Sequence, residues 1–298
     1  MKLEGILPVI PTPFKTEGQI DIESFKRLLD LAIHEGASGV CLFAAGAEFY
    51  KLSWEEKTEL FEIAINHCKD RILVVATVSN HGTYHAIQER EYYEKRGADA
   101  INLMPPSFAA PSGTMIASHV IDVAKDAVVP LIIQYAPALL GFDLDREFFE
   151  KVGKSINDIY IKLEADPVGP VITSLIKTMG NDVKIITGNG GINMLESFQR
   201  GSCAVMPGVA TLLPYVKIYE KFKSIGYEGA IDLYNKFLPH MQFIQRDIEC
   251  FVAMEKIILY KRGIIDNPMC RKPYNYPDEL TKEILLQSYK EIKKIFYS

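Results

Sequence analysis

Lys162 lies inside the apolar run Ile159-Tyr160-Ile161-Lys162-Leu163-Glu164-Ala165. Burial in such a run disfavours the ammonium form of a lysine. A neutral amine held there can attack a ketone and form a Schiff base. The plain alternative is a lysine at a strand end whose stem is buried and whose head reaches water. Glu164 follows two residues later, and strand residues i and i+2 share a face. The pair thus offers an imine-forming amine beside a general acid/base. A purely structural ion pair would use the same two residues.

Three further segments could frame that chemistry. Phe43-Ala44-Ala45-Gly46-Ala47-Glu48 is built of small residues whose exposed amides could hold a carboxylate without an arginine. Gly188-Asn189-Gly190-Gly191 and Met206-Pro207-Gly208 add two more glycine-bearing ends. Each would equally suit a tight turn. Rival constellations are weaker. His81 and His85 have the i,i+4 spacing of metal ligands, but no glutamate follows His81 and Gly82-Thr83 opens a helix between them. They read as surface histidines, and no metal is expected. Gly-Asn-Gly-Gly lacks the Lys-Ser/Thr of a phosphate loop, and Gly-x-Ser-x-Gly does not occur.

The elements that must position these residues show a regular beat. Short Val- and Ile-rich runs recur at 5–8, 39–44, 72–78, 100–104, 129–135, 159–164, 183–188 and 202–206. Runs that are apolar throughout are how parallel strands covered on both faces read. Between them lie helical spacings with end signals. Asp21 opens one helix, and Gly36 closes it; Ser53-Trp54-Glu55-Glu56 is a capping box; Thr83 begins a third, and Gly97 stops it. The alternation predicts an α/β chain, a (β/α)₈ barrel over residues 1–225, with its site at the C-terminal strand ends. A doubly wound sheet gives the same alternation, but no Gly-rich dinucleotide fingerprint follows the first strand. From Tyr227 onward only helical periodicity remains, at 230–244, 250–261 and 281–296. Residues 226–298 therefore read as a helical region packed on the barrel.

Composition bounds the function. The 298 residues carry 33 basic against 38 acidic side chains, a formal charge of −5, with no basic run longer than Lys-Lys. That is no nucleic-acid footprint. The opening Met1-Lys2-Leu3-Glu4-Gly5 does not read as a secretory signal, and no run is long enough to span a membrane. Five widely spaced cysteines without a Cys-x-x-Cys read as reduced thiols, so a cytoplasmic enzyme is expected.

With those residues in view, the chain resembles the dihydrodipicolinate synthase and N-acetylneuraminate lyase superfamily over nearly all its length. Thr12-Pro13-Phe14 is similar to the family's opening motif. Ala44-Ala45-Gly46-Ala47-Glu48, then Lys51-Leu52-Ser53, resembles its Gly-Thr-Thr-Gly-Glu loop and the following Leu-Ser. Ile161-Lys162 falls where the family carries its Schiff-base lysine. The resemblance implies a barrel with a C-terminal helical region, usually tetrameric. It implies action on pyruvate or another 2-keto acid through a covalent imine at Lys162, with no other cofactor.

The departures from that pattern are informative. The family's catalytic tyrosine of a Tyr-Asn-x-Pro motif aligns with Gln134, and Tyr135 comes one position later on the opposite strand face. The two loop threonines become Ala45 and Gly46, the second relay tyrosine Phe108, and the synthase arginine Leu139. A synthase-type condensation would lack its proton relay. Gln134-Tyr135-Ala136-Pro137, Lys162-Leu163-Glu164 and Arg271-Lys272-Pro273 are instead similar to the L-2-keto-3-deoxyarabonate dehydratases. This likeness implies water elimination from a 2-keto-3-deoxy sugar acid, or aldol cleavage of one. Lys162, Glu164 and Gln134 would be catalytic, with substrate contacts from Ala45, Gly46, Tyr135, Gly188 and Met206. A pyruvate aldolase or dihydrodipicolinate synthase-type condensation, and a barrel that binds a 2-keto acid without turnover, are the other readings.

Overall fold

The computed structural model describes residues 2–180 and 183–297. Met1 and Ser298, the outer ends of the two expected segments, lie outside the described residues. Each apolar run supplies a strand: β1 (Gly5–Ile6), β2 (Gly39–Leu42), β3 (Leu73–Val78), β4 (Ala100–Leu103), β5 (Leu131–Tyr135), β6 (Ile159–Leu163), β7 (Val183–Thr187) and β8 (Ala204–Val205). Neighbours pair in parallel in the order β1-β8-β7-β6-β5-β4-β3-β2. The seam between the two end strands is closed by backbone bonds: Ser38 N–H donates to Ile6 O at 2.8 Å, Cys41 N–H to Pro8 O at 2.9 Å, and Ile10 N–H to Cys41 O at 3.0 Å. The sheet therefore closes on itself, which excludes the doubly wound alternative.

The helices are α1 (Ile22–His34), α2 (Trp54–Cys68), α3 (Thr83–Lys95), α4 (Gly113–Ala124), the single turn α5 (Pro137–Leu140), α6 (Arg146–Ser155), α7 (Val168–Met179) and α8 (Met194–Gln199), then α9 (Leu212–Ile244), α10 (Ile248–Lys261) and α11 (Glu279–Phe296). Their ends follow local chemistry. The Asp21 side chain caps α1, and Ser53 and Glu56 cap α2 reciprocally. Gly36 and Gly97 take φ of +88° and +98°, where a Cβ would be strained. α9 takes the eighth helical place, breaks at Gly226 and continues into the C-terminal region.

Strand residues alternate between two cores. Outward-facing Val40, Ile101, Ile133 and Ile161 pack against the helix layer. Inward-facing Leu7, Cys41, Val75, Ile132, Tyr160 and Ile186 fill the barrel. The Tyr160 hydroxyl accepts the Leu3 N–H at 3.3 Å, which ties the N-terminal segment across the lower end. The upper, C-terminal mouth stays open, and α10 lies beside it.

Candidate active site

Alternation along β6 decides the centre of the site. Tyr160, Lys162 and Glu164 face inward, and Lys162 is only 5% exposed. Its Nζ stands 3.0 Å from Glu164 Oε1. The Glu164 N–H donates to Tyr135 O at 2.8 Å, so the strand register continues to the carboxylate. Burial by itself raises the pKa of Glu164. The Lys162 ammonium, the Gln134 amide and the Asn189 N–H oppose burial and together hold the carboxyl below its usual range. Glu164 thus rests ionised and ready to accept a proton.

Gln134 sits opposite Lys162 in the β5–β6 register. It is buried, and among the described residues neither its Oε1 nor its Nε2 reaches hydrogen-bonding geometry with a partner. Its amide faces the Glu164 carboxylate closely enough to lower that pKa, but not closely enough to be satisfied by it. A buried amide left in this state costs free energy unless something enters to pair with it, about 1–3 kcal/mol.

A cavity of about 490 Å³ opens above these groups, with Lys162, Glu164, Ala45, Gly46, Met206 and Gly208 in its walls. Ala45–Ala47 forms a tight 3₁₀ turn, followed by Glu48 at φ +58°. Glu48 is fully buried and anchors that turn: Lys51 Nζ and the Arg271 N–H reach it at 3.0 and 3.1 Å, and Lys256 of α10 pairs with its other oxygen. Nothing local in the sequence marked Lys256, because its partner is 208 positions away. The connector Gln245–Ile248 and Phe251 complete the rim. Gln245 Nε2 donates to Asn189 Oδ1 at 3.0 Å and so ties the connector to the end of β7.

Two expected contacts are corrected. Gly188 does not line the cavity; it stands behind Glu164, and a Cβ there would lie 2.3 Å from Glu164 Cγ. The glycine makes room for the carboxylate. Tyr135 does not reach the cavity either. It points into the outer core, with its ring 5.2 Å from that of Phe149 and its hydroxyl on Asp143. Burial and Asp143 push that hydroxyl up, away from proton exchange near neutrality. Phe108 is 82% exposed, and Leu139 stands at the cavity's lip. His81 accepts the Ser107 N–H at 3.2 Å, and no group of three metal-ligating side chains exists among the described residues. A larger hollow of about 580 Å³ lies at the opposite end of the barrel, beside Cys68, Arg71 and Asp99. Sites of this architecture lie at the C-terminal strand ends, and that hollow has no amine–carboxylate pair buried at its base.

Fold and site together define a (β/α)₈ barrel with a buried lysine–carboxylate pair at the mouth of its C-terminal strand ends. The sequence matches the dihydrodipicolinate synthetase family over residues 2–294. It is 25% identical to an L-2-keto-3-deoxyarabonate dehydratase of Azospirillum brasilense, covering 92% of this chain and 90% of that one. It is also 25% identical to a 4-hydroxy-tetrahydrodipicolinate synthase of Persephonella marina, covering 97% and 98%. The fold superposes with a TM-score of 0.88 on YagE of E. coli K12, a prophage protein solved in complex with pyruvate, at 22% identity over 97% of this chain and 98% of that one. The chain belongs to the dihydrodipicolinate synthetase family, and it is a lyase of the Schiff-base lysine kind. No helix among the described residues is long and apolar enough to cross a membrane.

Proposed function

We propose that the chain dehydrates a 2-keto-3-deoxy sugar acid through an imine on Lys162. The observation that carries this reading is the 3.0 Å Lys162–Glu164 pair at the base of the cavity, with no hydroxyl at Gln134, Gly46 or Phe108. The Lys162 amine attacks the C2 ketone, and water leaves as the imine forms. The Glu164 carboxylate removes a C3 proton to give an enamine. The protonated Glu164 then donates to the departing C4 hydroxyl, which leaves as water. Hydrolysis of the imine frees the unsaturated 2-keto acid, so one water is lost overall. Backbone amides of the Ala45–Gly46 turn are suited to the substrate carboxylate. The unpaired Gln134 amide is suited to a substrate oxygen near C2 or C4.

Relatives of two activities are equally similar, and the residues at the site are what favours the dehydratase reading. Condensation with an aldehyde followed by cyclisation calls for a hydroxyl relay, and these positions supply none. The experiment is turnover of a panel of 2-keto-3-deoxy acids, with borohydride trapping of pyruvate run alongside. Turnover supports the dehydratase; pyruvate trapping without turnover of any sugar acid would favour a binding barrel and overturn it. A cytoplasmic homotetramer is the assembly proposed by family likeness, and light scattering of the purified chain tests the tetramer.

A further inference from the structure

Glu255, on α10, stands behind the cavity wall. It is 4% exposed, and its Oε2 accepts the Ala210 N–H at 2.9 Å. The Val209 N–H also lies toward the carboxylate. A Cβ on Gly208 would stand 2.2 Å from the same Oε2 and 2.4 Å from Cδ. Only a glycine lets the carboxylate approach this turn, and Gly208 with Pro207 forms part of the cavity wall. The next peptide is held as well, since Ala210 O accepts from Arg262 Nη1 at 2.6 Å. These N–H groups lead into α9, and a helix N-terminus favours negative charge. A carboxylate accepts such bonds roughly twice as strongly as a neutral carboxyl.

We propose that Glu255 is a positioning residue whose ionised carboxylate holds the 207–210 turn in place as a wall of the 2-keto-acid cavity, so that substrate binding weakens when Glu255 takes up a proton. The inference rests on reading the cavity as the imine site. Burial pushes Glu255 up to about 7, against the opposing pull of the two N–H groups and Arg262. The charged and titratable groups around it come from four elements. Arg262 caps the C-terminal end of its helix, from which Lys256 turns away to Glu48. Tyr215 faces it from α9. Glu35, at the end of α1, is shared between Arg262 and the Leu213 N–H. Tyr289 and Tyr297 lie on the α11 side of Arg262. Burial pushes all three tyrosines up, and Arg262 is held charged. Glu255 therefore changes charge in the neutral range while these four do not.

The test is kcat and KM for the sugar acid between about pH 5.5 and 8.5, in the parent and in Glu255→Gln, with imine trapping on each preparation. In the parent, KM is expected to rise about tenfold as the pH falls through 7, as a charge-assisted bond becomes a neutral one. Glu255→Gln, a neutral isostere, should hold KM near the parent's acid-side value across the range, leaving the pH dependence of kcat in place. Should that variant fail to fold, Gly208→Ala displaces the same carboxylate and should likewise remove the step in KM. A variant that keeps the parent's step overturns the assignment of Glu255 alone. Absence of imine trapping in the parent overturns the reading of the cavity, and this inference with it.

Discussion

Gly188→Ala tests the site from behind. The backbone there has φ −97° and ψ −142°, and the substitution sets an added methyl directly against the Glu164 side chain. That carbon would lie 2.3 Å from Glu164 Cγ, 2.5 Å from Oε1 and 2.9 Å from Cδ. Carbon atoms pack at about 3.5–4.0 Å, so the Glu164 side chain must retreat by about 1 Å or more. The Lys162–Glu164 separation is 3.0 Å, and proton transfer requires about 2.6–3.2 Å. The carboxylate is then moved out of reach while Lys162 itself is untouched. If Glu164 moves the protons, turnover should fall at least about a hundredfold, a barrier increase of about 2.7 kcal/mol. Pyruvate should still be trapped on Lys162 by borohydride. Steady-state turnover, trapping and a thermal melt on one preparation decide the matter. Turnover within a few-fold of the parent in a folded variant refutes the reasoning. A second check is non-additivity: adding Gly188→Ala to Glu164→Ala should cost little more than Glu164→Ala alone.

Further outcomes follow from the same geometry. Lys162→Ala should lose both borohydride labelling and turnover, with peptide mapping of the parent placing the added mass at Lys162; labelling elsewhere refutes the imine assignment. Glu164→Gln should still be trapped with pyruvate yet eliminate water at least about a hundredfold more slowly, as read by paired trapping and turnover. Condensation of pyruvate with aspartate semialdehyde should be negligible in a coupled assay, because Gly46, Phe108 and Gln134 offer no hydroxyl relay. Lys256→Met leaves the buried Glu48 carboxylate short of a partner and should cost about 3–5 kcal/mol in urea denaturation. Glu255 also sets a pH dependence of stability. Its folded pKa is raised from 4.5 to about 7, so the native state binds the extra proton, and stability falls as the pH rises through that window. At about 1.36 kcal/mol for each tenfold change in proton concentration, the cost approaches about 3 kcal/mol above pH 7. The melting-temperature advantage of Glu255→Gln should therefore widen between pH 5 and 8.

Local periodicity already determined much of this protein. Two-residue alternation put Lys162 and Glu164 on one face, and the observed pair follows from it. The all-apolar runs specified strands buried on both sides, and Asp21, Ser53 and Glu56 specified where helices begin. The same alternation turned Tyr135 away from Gln134, and the tertiary structure shows where it went: into the helix layer beside Phe149. What the sequence left open depends on contacts between residues far apart in the chain. The seam between β1 and β2 decides barrel over open sheet, and it is a matter of three backbone bonds rather than of composition. That Gly188 makes room for Glu164, that Gly208 makes room for Glu255, and that Lys256 holds Glu48 are facts of approach across the fold. The C-terminal connector shares in the cavity for the same reason. A pattern along the chain reports which face a side chain takes, whereas only the packed fold reports what that face meets.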